Sequence, residues 1–157
     1  MSTFAGMRWW LYGVLDEARR VPPGDYEGLH TEFARRLNRF CADHPGLEVL
    51  SGHRTSEEQQ YLYDHQHDPG FNPANPPGES NHEAIPWGKA QGLAADLWPE
   101  SVFDSGDISD DEHDEIRRKY GIHFPLRHTE NEDHHAQPVE VESPRWSGMP
   151  DLPRWEL

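Results

Sequence analysis

An α+β domain is what this sequence predicts, on three observations. Helical and strand-like segments alternate in mixed order, without the repeating βαβ rhythm of a parallel sheet. No segment repeats another and no linker divides the 157 residues, so they form one domain with a single core. Hydrophobic content is only 34%, yet six Trp and an aromatic share of 11% set the chain apart from disordered sequences and imply a compact fold with long polar loops.

The elements follow in order. Residues 6–20 form an amphipathic pattern with Trp10, Leu11, Val14 and Leu15 inward, stopped by Pro22, Pro23 and Gly24. A second helix is predicted over Leu29–Asp43, where Leu29, Phe33, Leu37, Phe40 and Cys41 recur at spacings of three and four. His44, Pro45 and Gly46 end it, and Leu47–Ser51 reads as a short buried strand. Thr55 and Glu58 have capping-box spacing and open a third helix that runs to about His65. Residues 67–79 are rich in Pro, Gly and Asn and are predicted as an irregular loop, of the length at which loops tend to be functional. Residues 93–97 form a strand with Leu93, Ala95 and Leu97 on one face and Ala94 and Asp96 on the other. A helix over 110–120 is capped by Ser109 with Glu112 and stopped by Gly121. Strands are predicted near 121–126 and 136–142, before a Pro-broken, Trp-bearing tail that packs irregularly over the domain.

The formal charge of −15 argues against a protein that grips nucleic acid or an anionic membrane through its bulk field. Cys41, the single cysteine, excludes an internal disulfide and a thiolate metal cage, and its place on an apolar helical face makes it a small core residue. The N-terminal apolar stretch is interrupted by Arg8 and followed by Asp16 and Glu17, unlike a signal peptide. No run is long enough to span a bilayer, so synthesis as a cytoplasmic, monomeric product without membrane insertion is expected.

Three clusters carry the chemistry. His82 ends the long loop, and Asp96 lies on the polar face of an otherwise apolar strand. An aspartate there needs a strong partner, which a cation, an arginine or a turn to cap would each supply. The cluster Glu132–Asp133–His134–His135–Ala136–Gln137 leads into the last strand. A hydrolytic zinc site needs about three protein ligands, an open position and a carboxylate to take a proton from water. His82, Asp96 and His135 would supply the ligands and Glu132 the base, provided the chain turns between Glu132 and His135, since a straight strand would place them on opposite faces. His134 is the adjacent rival ligand; the three-residue spacing from Glu132 favours His135. Ser51–Gly52–His53–Arg54–Thr55 joins a strand to a capped helix, a junction suited to a carboxylate or an oxyanion, although a surface salt bridge would also explain Arg54. His30, His44, His65, His67 and His113 read as solvated surface, and His123 and His128 as solvated loop residues or as groups that support the ligands or face the substrate.

SGHR, SNH, GLAAD and ExxHxQ, in this order, resemble the zinc D-Ala-D-Ala carboxypeptidase and L-alanyl-D-glutamate endopeptidase family, which includes phage endolysins and shares its fold with the hedgehog signalling domain. The resemblance covers roughly residues 28–140. It implies a small antiparallel sheet flanked by helices, zinc held by His82, Asp96 and His135, Glu132 as catalytic base, and Arg54 on the substrate carbonyl or carboxylate. Ser80 matches a serine beside the first ligand, and Gln59 a glutamine with a packing or supporting role; His134 and Gln137 complete the set expected around the centre or the substrate. The implied substrate is bacterial peptidoglycan, with a holin releasing the protein to the wall or a virion delivering it. His82 and Asp96 stand 14 residues apart, farther than the family pattern, so the insertion over residues 84–91 must loop out; it brings Trp87 and Lys89 near the groove. A non-catalytic phage module that uses zinc for folding, and a dipeptidase or carboxypeptidase of small D-amino-acid peptides, are the competing expectations.

Overall fold

The computed structural model describes residues 26–83, 92–99, 108–129 and 132–157, and these form an α+β fold. The predicted helix over 6–20 and the insertion with Trp87 and Lys89 lie outside the described residues. In chain order the elements are α1 (Thr31–Asp43), β1 (Glu48–Ser51), α2 (Ser56–His65), β2 (Ala95–Trp98), α3 (Asp110–Tyr120), β3 (Ile122–His123) and β4 (His135–Pro138). The four strands make one sheet in the order β1-β2-β4-β3, every neighbouring pair antiparallel.

The helices begin and end where local chemistry requires. Thr55 and Ser109 each accept from the third helical N–H, while Glu58 and Glu112 reach back to the cap N–H, completing both capping boxes. Gly121 closes α3 in the left-handed conformation at φ 66°. A Cβ there would also lie 2.5 Å from the Trp155 ring, so a side chain at this position meets two obstacles at once. The N-cap of α1 is His30, whose Nδ1 accepts from the Glu32 N–H at 3.2 Å, so this histidine is a capping group and not solvated surface. His44 is exposed, as expected, with its Nδ1 2.7 Å from the Phe40 carbonyl and its ring on Phe40 and Tyr120, while His113 is partly buried against Phe124.

One face of the sheet is apolar and covers the core. Val49, Ala95, Leu97, Ala136 and Ile122 pack with Phe33, Leu37 and Phe40 of α1 and with Ile116 and Tyr120 of α3. Cys41 is buried in this layer, and burial pushes its thiol up to about 12. In the native protein it is expected to resist alkylation at pH 8 and to react on unfolding; rapid native-state labelling, read by mass spectrometry, would contradict this packing.

The strands depart from the predicted spans for identifiable reasons. β1 and β2 pair with an irregularity between Val49 and Ser51, which leaves Leu50 exposed and turns Ser51 to face Asp96. Leu93 is not in the ladder, because its N–H is held by the Asn81 carbonyl at 2.7 Å, and Gly92 bonds Gly28 and His30. β3 stops at His123, where Pro125 cannot donate and the chain turns through Arg127 and Thr129. β4 begins one residue earlier than predicted and ends at Pro138, after which Val141 N–H closes a turn onto the Pro138 carbonyl. The tail, residues 143–157, has no regular structure except a bridge between Arg145 and Ser80; Trp155 stacks on Arg36 and donates to the Lys119 carbonyl. Among the described residues no helix is long and apolar enough to cross a membrane.

Candidate metal centre

The polar face of the sheet builds the site. Asp96 at the centre of β2 is paired with Ser51 of β1 on one side and with His135 of β4 on the other. Directly opposed residues share a face, so sheet register alone sets the carboxylate beside the imidazole. Gln137, two residues along β4, falls on the same face, and His123 opposite it does too. His82 arrives from the turn after the long loop. Its carbonyl accepts from the Arg54 N–H at 2.8 Å, which ties this turn to the end of β1. Glu83, buried, holds the loop to α2 by accepting from the Gly78 N–H and the Ser56 hydroxyl, both at 2.9 Å.

His82 Nε2, His135 Nδ1 and Asp96 Oδ1 form a triangle with edges of 3.3, 3.2 and 3.6 Å. Tetrahedral zinc with arms of about 2.0–2.1 Å requires ligand atoms about 3.3–3.4 Å apart, so the triangle is close to one face of such a tetrahedron. The ring nitrogens are also in the required state. His82 Nδ1 lies 2.8 Å from the Gly52 carbonyl, which only accepts, so that nitrogen carries the proton and Nε2 presents a lone pair. His135 Nε2 lies 2.9 Å from Gln137 Oε1. The Gln137 amide has one orientation, because its NH2 donates to the Val141 and Ser143 carbonyls at 2.9 and 3.0 Å. Asn81 donates to the same Oε1 at 2.9 Å. His135 therefore donates through Nε2 and offers Nδ1 to the centre. For a divalent metal held at this triangle, Gln137→Leu is expected to lower affinity by about 10–100-fold with the fold intact; competition with a chromogenic chelator measures it, and unchanged affinity would remove Gln137 from the centre.

Electrostatics agree with a cation at this point. Burial drives the His82 pKa down to about 4 against the pull of Asp96. Burial opposes charge on His135 as well, but its hydrogen bond to Asp96 and that carboxylate's charge outweigh it and raise its pKa. Burial would raise Asp96, yet the two imidazoles hold it well below the usual carboxylate range. With both rings neutral, two lone pairs and a carboxylate converge on one point, an arrangement that could hold a metal ion in place of the proton that Asp96 otherwise favours on His135.

Asp96 Oδ2 is engaged separately, by Arg54 Nη2 at 2.9 Å. Arg54 also reaches the Ser51 hydroxyl at 3.3 Å and Gln59 Oε1 at 3.4 Å, while Gln59 Nε2 donates to the Asn75 carbonyl at 2.7 Å and fixes the long loop. Arg54 is consequently neither a solvated surface group nor separate from the candidate ligands: it holds Asp96, one of them. Ser80 is buried, and its hydroxyl accepts from the His82 N–H at 3.2 Å.

The triangle opens into a cleft of about 730 Å³, whose lining includes Arg54, Gln59, Ser80, Glu132, His134 and Arg145. The turn needed between Glu132 and His135 is present, closed by the His135 N–H on the Glu132 carbonyl at 3.1 Å. Burial, and next the charge of Asp96, raise the Glu132 pKa. His134 lines the cleft with its Nδ1 3.7 Å from Asp133, outside the ligand triangle. His123 is buried in β3 and bonds the Val141 carbonyl at 2.7 Å, so it supports the Gln137 turn and is not a loop residue; His128 is exposed beside Asp110. His123 thus takes the supporting place that was one of its expected roles, whereas Asn81 and Glu83 were given no role by the sequence. Asn81 sits inside the SNH motif, but its partner is 56 positions away, and no local pattern announces that contact. Compared with models of known protein families and with curated proteins, the chain matches none.

Proposed function

We propose that this protein is a zinc-dependent peptidase that hydrolyses an amide bond in the stem peptides or cross-links of bacterial peptidoglycan. The observation that carries the hydrolytic part is the His82–Asp96–His135 triangle, with both tautomers set for ligation, open to a cleft that Glu132 lines. Two imidazoles and one carboxylate leave a fourth position vacant for water, the donor set of a catalytic zinc site. The substrate class rests on the resemblance of SGHR, SNH, GLAAD and ExxHxQ to the wall-peptidase family, and a holin-dependent or virion-borne route to the wall goes with that reading.

Zinc held there supplies Lewis acidity toward a water and toward the scissile carbonyl. Glu132 is the proton carrier: partly buried and with a raised pKa, its carboxylate takes a proton from the attacking water and returns it to the leaving nitrogen. Arg54 holds Asp96 through Oδ2 so that Oδ1 stays directed at the imidazoles, and its remaining donors border the cleft where negative charge develops on the carbonyl oxygen. Gln59 keeps Arg54 and the 67–79 loop in register.

Mass spectrometry of fragments released from purified peptidoglycan tests the proposal. Fragments bearing a new free amino group, produced with zinc and suppressed by chelator, are expected, and their masses identify the bond. Absence of release from walls of several stem-peptide types would instead favour a non-catalytic module that uses the metal for folding.

A further inference from the structure

The cleft differs in charge from the rest of the molecule. The chain has 14 Lys and Arg against 29 Asp and Glu, whereas the described lining of the cleft sets Arg54 and Arg145 against Asp96 and Glu132. A divalent cation on the triangle makes that lining net positive, an attractive well within a repulsive field.

The two arginines differ in what they have left to offer. Arg54 is largely buried and engaged by Asp96, Ser51 and Gln59, so it cannot turn to a ligand without loosening Asp96. The Arg145 side chain is 69% exposed, and its ionic partner among the described residues is Glu79, itself half exposed and at 3.6 Å. Such a pair is weak and readily exchanged. The Arg145 backbone is nonetheless fixed. It bridges to Ser80, two residues from His82; its N–H donates to the Ser143 hydroxyl at 3.1 Å, and the Trp146 N–H donates to the Glu79 carbonyl at 2.9 Å. An exposed guanidinium on a base anchored to Ser80, bordering the cleft, is an arrangement suited to capture a carboxylate.

We propose that Arg145, from the tail beyond the family-like segment, receives a carboxylate of the substrate, so that the cleft selects peptides with a free acid group close to the scissile amide. This rests on the peptidase reading and deepens it: Arg54 positions Asp96, and substrate-acid recognition passes to Arg145.

Stem tetrapeptides with their carboxylates free, or converted in turn to carboxamides, test the assignment with the zinc-loaded full chain. The parent is expected to prefer one free acid over its amide by about tenfold in kcat/KM and in affinity by tryptophan fluorescence. Arg145→Gln should erase that preference by raising KM for the acid alone, with kcat, zinc content and Tm unchanged; Arg145→Lys should recover part of it, keeping charge but not the planar fork. A preference that survives in Arg145→Gln, an equal loss for acid and amide, or failure of either peptide to bind would overturn the proposal. Binding with acid preference but without cleavage would sink the peptidase reading and leave the Arg145 assignment standing.

Discussion

On the peptidase reading, a Glu132→Gln protein is expected to load with zinc at saturating metal and to hydrolyse peptidoglycan about a thousandfold more slowly. The substitution keeps size and shape and removes only the ability to accept a proton. Glu132 lies outside the ligand triangle, so metal content should not change. The pH behaviour carries a second, independent signature. In the metal-free protein, burial and then the Asp96 charge hold the Glu132 pKa above its ordinary value of 4.5. A cation on the triangle reverses the local field and must lower it. By linkage, a group that becomes more acidic on metal loading strengthens metal binding as it ionises, so Glu132→Gln should flatten part of the fall in zinc affinity toward acid pH. His135 contributes as well, since its raised pKa means that a proton competes there with the metal. Substantial turnover by zinc-loaded Glu132→Gln would assign the proton transfer to another group, and loss of zinc from that variant would make Glu132 a ligand.

Local chemistry made much of this fold readable. Both capping boxes, the Gly121 stop and the apolar face of α1 are set by residues within a few positions of one another, and each appears where the pattern places it. What sequence reading missed depends on partners far along the chain. Leu47–Ser51 reads as a buried strand, but Leu50 follows the core-facing Val49 and is exposed, and the irregular pairing with β2 sets Ser51 rather than Leu50 opposite Asp96. Asp96 illustrates why a motif alone left alternatives. An arginine partner and a cation site looked like competing explanations, yet the two carboxylate oxygens serve them separately, Oδ2 toward Arg54 and Oδ1 toward the imidazoles. The Gln137 orientation depends on carbonyls of the following turn and on Asn81, and the anchoring of Arg145 depends on Ser80; neither contact has a local signature. The grouping of His82, Asp96 and His135 was legible because residue type and order announce it, whereas the network that fixes each side chain's direction belongs to the three-dimensional fold.

Arg36→Met is expected to lower stability by about 3–5 kcal/mol while leaving zinc affinity intact. Arg36 lies on the buried face of α1, a position that the helical pattern alone would give to an apolar side chain, and it is fully buried. Its guanidinium forks onto Glu140 at 2.7 and 3.0 Å, donates to the Gly121 carbonyl at 2.9 Å and the Pro153 carbonyl at 2.7 Å, and lies over the Trp155 ring at 4.9 Å. Its Nε is 3.3 Å from Glu32, which also accepts from the Trp155 N–H at 2.7 Å. One cation thus joins α1, the end of α3, the turn after β4 and the tail. Methionine would fill much of the volume but leave the Glu140 carboxylate and the Pro153 carbonyl without this partner, while Glu32 keeps Arg35 and the Trp155 N–H and the Gly121 carbonyl keeps the Val139 N–H. The acceptors left behind, more than lost attraction, account for the magnitude. At this chain length the Tm should fall by about 10–15 °C. Burial works to raise the Glu32 pKa, but the Arg35 hydrogen bond, the Trp155 N–H and the two arginine charges outweigh it, and the folded-state pKa lies below 4.5. Stability from Glu32 is therefore present above the unfolded-state value and is lost as pH falls through the folded one. Arg36→Met should accordingly weaken the acid dependence of Tm as well as its height. A loss under about 1 kcal/mol at pH 7, with tryptophan fluorescence unchanged, would mean that the tail docks on the domain without the Arg36 anchor.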